Sequence, residues 1–381
     1  MKKLGIYIHI PFCVKKCGYC DFYSVKWDQI SESKYIQSAI NEIKSYSELN
    51  DKYIVDTIFI GGGTPSIIKP QNIEYLLAAI KNIFIVEGNA EISMEANPNT
   101  LNTGSLNAYK SIGINRLSIG IQSLNDIILK KIGRIHNSKE ALEAIEKAKQ
   151  CGFANINADL MFNIPGQTID DIDNTINNLI KKDIKHISFY SLKLEKGTPM
   201  YRLEEKKKIV LPEEDLEREM YYTGRNIMEI HNLMQYEISN FAVKGYECRH
   251  NLKYWNQEEY IGIGPSSHSF LGNMRFNNSS DLKEYLLSSE RQAFESKTFE
   301  RNIQEVMDKN ELMFEYIMLR LRLAEGLKFV DFKNKFLVDF GETYAEQIEY
   351  LAKNNLVEID DKAVRLTKKG MDISNYVFEK F

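Results

Sequence analysis

The sequence predicts an α/β protein, a partial (β/α)6 barrel of the TIM type followed by a small, mostly helical, winged-helix-like C-terminal domain. Three observations predict it. Six short apolar, β-rich runs alternate with longer amphipathic stretches through the first half of the chain, the pattern of a mostly parallel sheet with helices outside it. Polar residues able to do chemistry collect just after successive runs, as they do at the mouth of an α/β barrel. From about residue 301 the pattern turns helical and closes on two short strands around Asp360-Asp361. An open doubly wound sheet is the structural alternative.

The elements follow in order. Residues 4–10 form the first expected strand and lead into a loop with Cys13, Cys17 and Cys20. Residues 53–60 form the second, followed directly by Gly61-Gly62-Gly63-Thr64-Pro65. The third, 90–96, ends with Glu95, and the fourth, 116–121, with Gln122. Asp159 and Asn163 ride the fifth, 155–164, and 186–192 is the sixth. Helices are expected over 32–48, 71–84, 101–112, 138–151 and 169–182. The fourth of these is the clearest, with Leu142, Ile145 and Ala148 at helical spacing. A helix at 213–232 and a strand at 235–241 come next, then helical patterns such as 311–319, then a hairpin of 356–359 with 363–366. The division expected is a core barrel at 1–235, an extension at 236–295 and a C-terminal domain at 296–381.

Composition narrows the function. The 381 residues are 43% hydrophobic, enough for a sizeable core, and the net charge of −4 gives no basic excess for a nucleic-acid backbone. Five cysteines, three of them clustered, are a poor disulfide framework. The first residues lack the long apolar stretch of a signal peptide, and no apolar run is long enough to span a bilayer. The expectation is a soluble protein of a reducing cytoplasm, where clustered cysteines favour metal or redox chemistry.

Cys13-x3-Cys17-x2-Cys20 supports several readings. Zinc needs a fourth donor, for which His9, Cys151 or Cys248 are conceivable. Buried structural thiols do not need this spacing. An iron–sulfur cluster held by three thiolates leaves one iron open to a small-molecule ligand, and the absent fourth cysteine then becomes the functional feature. The glycine run lacks the Gly-Lys-Ser/Thr ending of a P-loop and is not Gly-x-Gly-x-x-Gly, so a tight turn or close backbone approach is expected there.

Taken in order, the cysteine motif, the Gly-Gly-Gly-Thr-Pro turn and Glu95 resemble the radical S-adenosylmethionine (SAM) superfamily. His9-Ile-Pro-Phe-Cys13, Tyr19-Cys20-Asp21-Phe22, residues 116–122, 159–168 and 235–241 resemble its coproporphyrinogen III oxidase-like branch over the whole chain. That branch holds the oxygen-independent coproporphyrinogen III oxidases and the HemW-type haem chaperones. The resemblance implies a [4Fe–4S] cluster on Cys13, Cys17 and Cys20, its fourth iron chelated by SAM. It implies that Tyr7 and Tyr19 flank SAM, that Gly62, Gly63 and Thr64 contact it, and that Glu95 binds its polar groups. Gln122, Arg134 and Asp159 match positions that touch a second SAM in the oxidases.

Two departures separate the chain from the oxidases. Phe22 stands where they have a fourth cysteine, and Cys13 follows a shorter leading segment, so a less enclosed site is expected. In the other direction, His250-Asn251-Leu252-Lys253-Tyr254-Trp255 matches the His-Asn-x-x-Tyr-Trp motif of the HemW-type chaperones. Imidazole can ligate iron, and Tyr254 and Trp255 offer flat apolar surface; His250 is the first candidate for haem's axial ligand, with Cys248 and His268 as alternatives.

The resemblance therefore implies a haem chaperone of the radical SAM type that delivers haem to membrane haemoproteins such as respiratory enzymes. An electron donor of the flavodoxin or ferredoxin type and a homodimeric partner go with it. The implied place is the cytoplasm, peripheral at the inner face of the membrane. The alternative is a coproporphyrinogen dehydrogenase that decarboxylates propionate side chains through a 5′-deoxyadenosyl radical. SAM cleavage fits either reading, and a zinc-filled scaffold is the non-enzymatic rival.

Overall fold

The computed structural model describes residues 1–295, 299 and 301–381. The expected boundary at residue 296 falls outside them. Side-chain parity builds the barrel. In the strand Lys2–Ile10, Leu4, Ile6, Ile8 and Ile10 are fully buried in the apolar core outside the sheet. The alternate residues, Gly5, Tyr7 and His9, turn to the other face. The same alternation sets Ile58 and Ile60 against Thr57 and Phe59, and Ile92 and Met94 against Glu91, Ser93 and Glu95. It sets Leu117, Ile119 and Ile121 against Arg116, Ser118 and Gln122. The barrel is thus apolar outside, where helices cover it, and polar inside.

Six strands run parallel in chain order: Lys2–Ile10, Tyr53–Gly62, Ile85–Ala96, Arg116–Gln122, Asn155–Phe162 and His186–Ser191. No reversal of order interrupts them, which decides for the barrel over the doubly wound sheet. A seventh parallel strand, Tyr260–Ile263, pairs with the outer side of Lys2–Ile10 and was not expected. Antiparallel strands extend both edges. Asn240–Ala242 and Met234–Glu237 lie beyond the sixth strand, and His268–Leu271, Met274–Asn277 and Asn302–Val306 lie beyond Tyr260–Ile263. The two ends of the sheet do not pair with each other among the described residues, so the barrel is partial.

The strand expected at 235–241 is corrected here. The single strand at 235–241 is a hairpin, because Ile238 and Ser239 turn the chain between two short strands. A domain boundary at 235 would cut that hairpin. The stretch 236–295 continues the barrel's own sheet at both edges and shares its core. The C-terminal part has a separate core around Phe332, Phe336, Phe340 and Leu351. Helices Lys309–Arg320, Phe329–Phe336 and Ala345–Lys353 pack there with a small sheet of Leu327–Lys328, Ala363–Leu366 and Val357–Ile359. Among the described residues no helix is long and apolar enough to cross a membrane.

Candidate functional site

The carboxyl ends of the parallel strands meet at one mouth. After Ile10, Pro11 ends the first strand, and a short pairing of Phe12–Cys13 with Val25–Lys26 pins the base of the cysteine loop. Inside the loop Cys20 N donates to Cys17 O at 3.3 Å, Gly18 N to Ile132 O at 3.1 Å, and Met200 N to Gly18 O at 2.9 Å. The loop is held by backbone bonds on both sides, independently of any group on its thiols. Cys13 is buried, while Cys17 and Cys20 are half-buried. Cys13 Sγ lies 3.5 Å from Thr64 Oγ1, and Arg134 Nη1 lies 3.8 Å from Cys17 Sγ.

The glycine turn serves close approach. A Cβ on Gly63 would fall 2.5 Å from the Phe12 carbonyl oxygen, and Gly62 has φ +109°. Both positions therefore exclude other residues, which lets the cysteine loop sit directly on the turn. Gly62 N donates to Glu95 Oε2 at 3.0 Å.

These groups line a cleft of about 510 Å³. It brings together Cys13, Cys17, Cys20, Tyr19, Gly62, Gly63, Thr64, Glu95, Gln122, Arg134 and Asp159. Tyr7 does not line it. Its ring stands behind the wall, stacked on Phe59 at 6.2 Å, with its hydroxyl 3.1 Å from His9 Nδ1. Burial, and after it the neighbouring Asp159, push Glu95 up to about 8, against the Gly62 N–H. Burial also raises Asp159, although it accepts from Asn157 at 2.7 Å and Ser118 at 3.1 Å. Two carboxyl groups that resist ionisation suit a ligand bearing positive charge or hydroxyl donors.

Residues the sequence reading passed over complete the wall. Asn97 donates to Thr64 Oγ1 at 3.1 Å and accepts from Arg134 Nη2 at 2.6 Å. Tyr190 donates to Gln122 Oε1 at 2.9 Å. Both were findable. Asn97 follows Glu95 at the strand's end, and Tyr190 shares inward parity with His186 and Ser188. Gln122 itself has φ +65°, an uncommon conformation away from glycine.

The donor set fits an iron–sulfur cluster better than zinc. A structural zinc ion needs a fourth donor beside the three thiols. The conceivable fourth donors are committed elsewhere. His9 bonds Tyr7 and, at 2.9 Å, Tyr23 O. Cys151 faces Thr103 O, and Cys248 lies 3.5 Å from Glu91. Three thiols beside a cleft with two buried carboxyls could hold a cluster with one open iron next to a polar ligand.

The motif at 250–255 lies at the opposite end of the barrel, on the short helix Arg249–Trp255. His250 is 1% exposed, and both ring nitrogens are engaged, Nδ1 with Thr57 Oγ1 at 2.9 Å and Nε2 with Tyr254 OH at 2.8 Å. Burial, then Lys253 and Arg116, lower its pKa to about 3. In this packing neither ring nitrogen of His250 is free. Cys248 is fully buried, and burial pushes its thiol up to about 12. His268 is exposed.

Comparisons with known proteins bear on the family and the fold. The Radical SAM superfamily matches residues 7–179 and the HemN C-terminal domain matches residues 307–373. Heme chaperone HemW of Lactococcus lactis is 36% identical over 100% of this chain and 97% of its own length. Heme chaperone HemW of Bacillus subtilis is 35% identical over 98% of each. The coproporphyrinogen III oxidase (HemN) structure from Escherichia coli superposes with a TM-score of 0.84 over 100% of this chain and 90% of that one, at 21% identity, which shows a shared fold. By its full-length likeness to these relatives, the chain belongs to the HemW family of radical SAM proteins.

Proposed function

We propose that this protein is a haem chaperone that holds a [4Fe–4S] cluster on Cys13, Cys17 and Cys20, binds SAM in the adjoining cleft, and passes haem to membrane haemoproteins. The observation that carries the reading is the full-length likeness to relatives named Heme chaperone HemW. The mouth supports it. Arg134 stands where it offsets a Cys17 thiolate, and Glu95 and Asp159 present acceptors for ammonium and hydroxyl groups. One-electron reduction is the chemistry the cluster and SAM supply when bound. Phe22, at the position of the oxidases' fourth cysteine, is 68% exposed on the rim and leaves the site open.

Of six histidines, only His231 and His268 reach solvent. A histidine that ligates the cargo without repacking the barrel is one of these two. The test is an anaerobic haem titration followed by absorbance, on the wild type and on Cys17→Ala, His250→Ala and His268→Ala. Saturable stoichiometric binding is expected in the wild type and in Cys17→Ala, with iron and acid-labile sulfide lost only in the latter. Absence of saturable binding in folded, cluster-loaded protein would turn the reading to the dehydrogenase, and protoporphyrinogen formation would then be assayed.

A further inference from the structure

The helix Arg249–Trp255 is claimed by neither the cleft nor the surface, yet it touches two distant parts of the molecule. It enters the barrel through the floor. Glu91 receives its first turn, accepting from Arg249 N at 3.1 Å and His250 N at 3.2 Å. The first strand makes room for it, since a Cβ on Gly5 would fall 2.9 Å from Lys253 Cδ and 3.3 Å from His250 Cε1. Above the helix, Phe59 stacks on His250 at 5.4 Å and on Tyr7 at 6.2 Å. Phe59 and Glu95 both close over Gly61, whose added Cβ would meet them at 3.0 and 3.1 Å. One end of the helix is therefore two rings away from a carboxyl group of the cleft.

The other end is built into the C-terminal domain. The Arg322 guanidinium lies 5.7 Å from the Trp255 ring and 5.2 Å from that of Phe378. Gln257, just past the helix, donates to Leu312 O at 3.1 Å and to Glu315 at 2.8 Å, and its carbonyl accepts from Lys335 at 2.9 Å. Arg320 bonds Asn256.

We propose that the His-Asn-x-x-Tyr-Trp helix is a positioning strut that keeps Glu95, and the Tyr7 and Phe59 rings packed behind the cleft wall, in register with the C-terminal domain, so that ligand occupancy and the seating of that domain are coupled. The proposal rests on the reading of the cleft as a SAM site. Close-packed rings move between discrete arrangements, so restraint on Glu95 and Tyr7 reaches His250 and Tyr254. Such coupling is reciprocal: loosening the far end weakens SAM binding.

Trp27 and Trp255 are the chain's two tryptophans. Trp27→Phe leaves Trp255, which does not line the cleft, as sole reporter. Cluster-reconstituted protein is titrated with SAM. Equilibrium dialysis reads binding, and Trp255 emission reads the strut. A saturable emission change with the dialysis midpoint is expected. In His250→Ala and in the milder Tyr254→Phe, SAM affinity falls about five-fold or more and the emission change is lost. His250→Gln, whose amide can bond both Thr57 and Tyr254, restores both. SAM binding without an emission change overturns the strut, as does an emission change that survives in Tyr254→Phe. Haem binding lost in His250→Ala with SAM affinity intact overturns it in favour of a haem site. No retention of SAM in dialysis overturns the cleft reading and the strut with it.

Discussion

The mouth and the floor of the barrel are built from the same strands with the same inward parity, yet they treat polar groups in opposite ways. At the floor, most polar groups are paired with one another, Arg116 Nε being an exception. His186 bonds Asn157 and Tyr236, Lys253 lies 2.8 Å from Asp56 and 2.9 Å from Glu258, and Glu91 receives three backbone or thiol donors of the strut. At the mouth, groups are held by neighbours but not used up. Glu95 accepts one backbone N–H, two thiols face the cleft half-buried, and Gln122 and Asn163 keep positive φ. A buried network that is fully paired fixes structure; one left underpaired and strained is where a ligand is taken up.

The largest effect should come from breaking the floor. Glu91→Ala removes the acceptor for the strut's first turn and one of the anionic groups around Arg116, which is 2% exposed. Removing one partner from a buried charge network costs about 3–5 kcal/mol. The expected result is a lower urea midpoint in the metal-free protein, with the cysteines still competent to assemble a cluster at low temperature. An unchanged midpoint would mean the floor is not a structural network.

The mouth should respond with the opposite sign. Glu95 titrates at about 8 in the fold, against 4.5 as its ordinary value. With a raised folded pKa, its stabilising contribution is complete below 4.5 and is lost as pH rises through 8. Glu95→Gln keeps an acceptor for Gly62 N–H and cannot ionise. The variant should match the wild type at pH 4.5 and exceed it by on the order of 3 kcal/mol at neutral pH and above, while binding SAM more weakly. Urea midpoints at several pH values, with SAM dialysis alongside, check both halves. A destabilised variant at pH 8 would place Glu95 with the floor rather than the mouth.

How legible each region was follows from the range of its contacts. The mouth was readable because its residues follow strands in order, and Cys13, Gly62, Glu95, Gln122 and Asp159 each stand at or near a strand's end. The floor was not. His250 meets Thr57 across 193 residues and Glu91 across 159, and nothing in local periodicity records such partners. Tyr260–Ile263 escaped for a related reason: Gly262 is packed so closely that a Cβ would lie 2.4 Å from His268 O. The glycine that permits the approach also weakens the strand signal. A motif of His, Tyr and Trp reads as a ligand site from sequence, because only the fold reveals that His250 is paired with both Thr57 and Tyr254.

The smallest and most discriminating prediction concerns acid. His250 is neutral in the fold because burial, then Lys253 and Arg116, lower its pKa to about 3 from 6.5. With a depressed folded pKa, its contribution is fully present above 6.5 and is lost as pH falls toward 3. Unfolding releases an imidazole that takes up a proton, so between pH 6.5 and 5 this residue alone should cost the wild type roughly 2 kcal/mol. His250→Gln removes that proton uptake, and its curve of stability against pH should be shallower over this interval whatever its absolute stability. The slope separates the two places a histidine could occupy. An imidazole open to solvent or to a haem iron keeps a pKa near its ordinary value in the metal-free protein and leaves the slope unchanged on substitution. Parallel wild-type and variant curves would therefore move His250 out of the floor network and back among the residues available to a ligand.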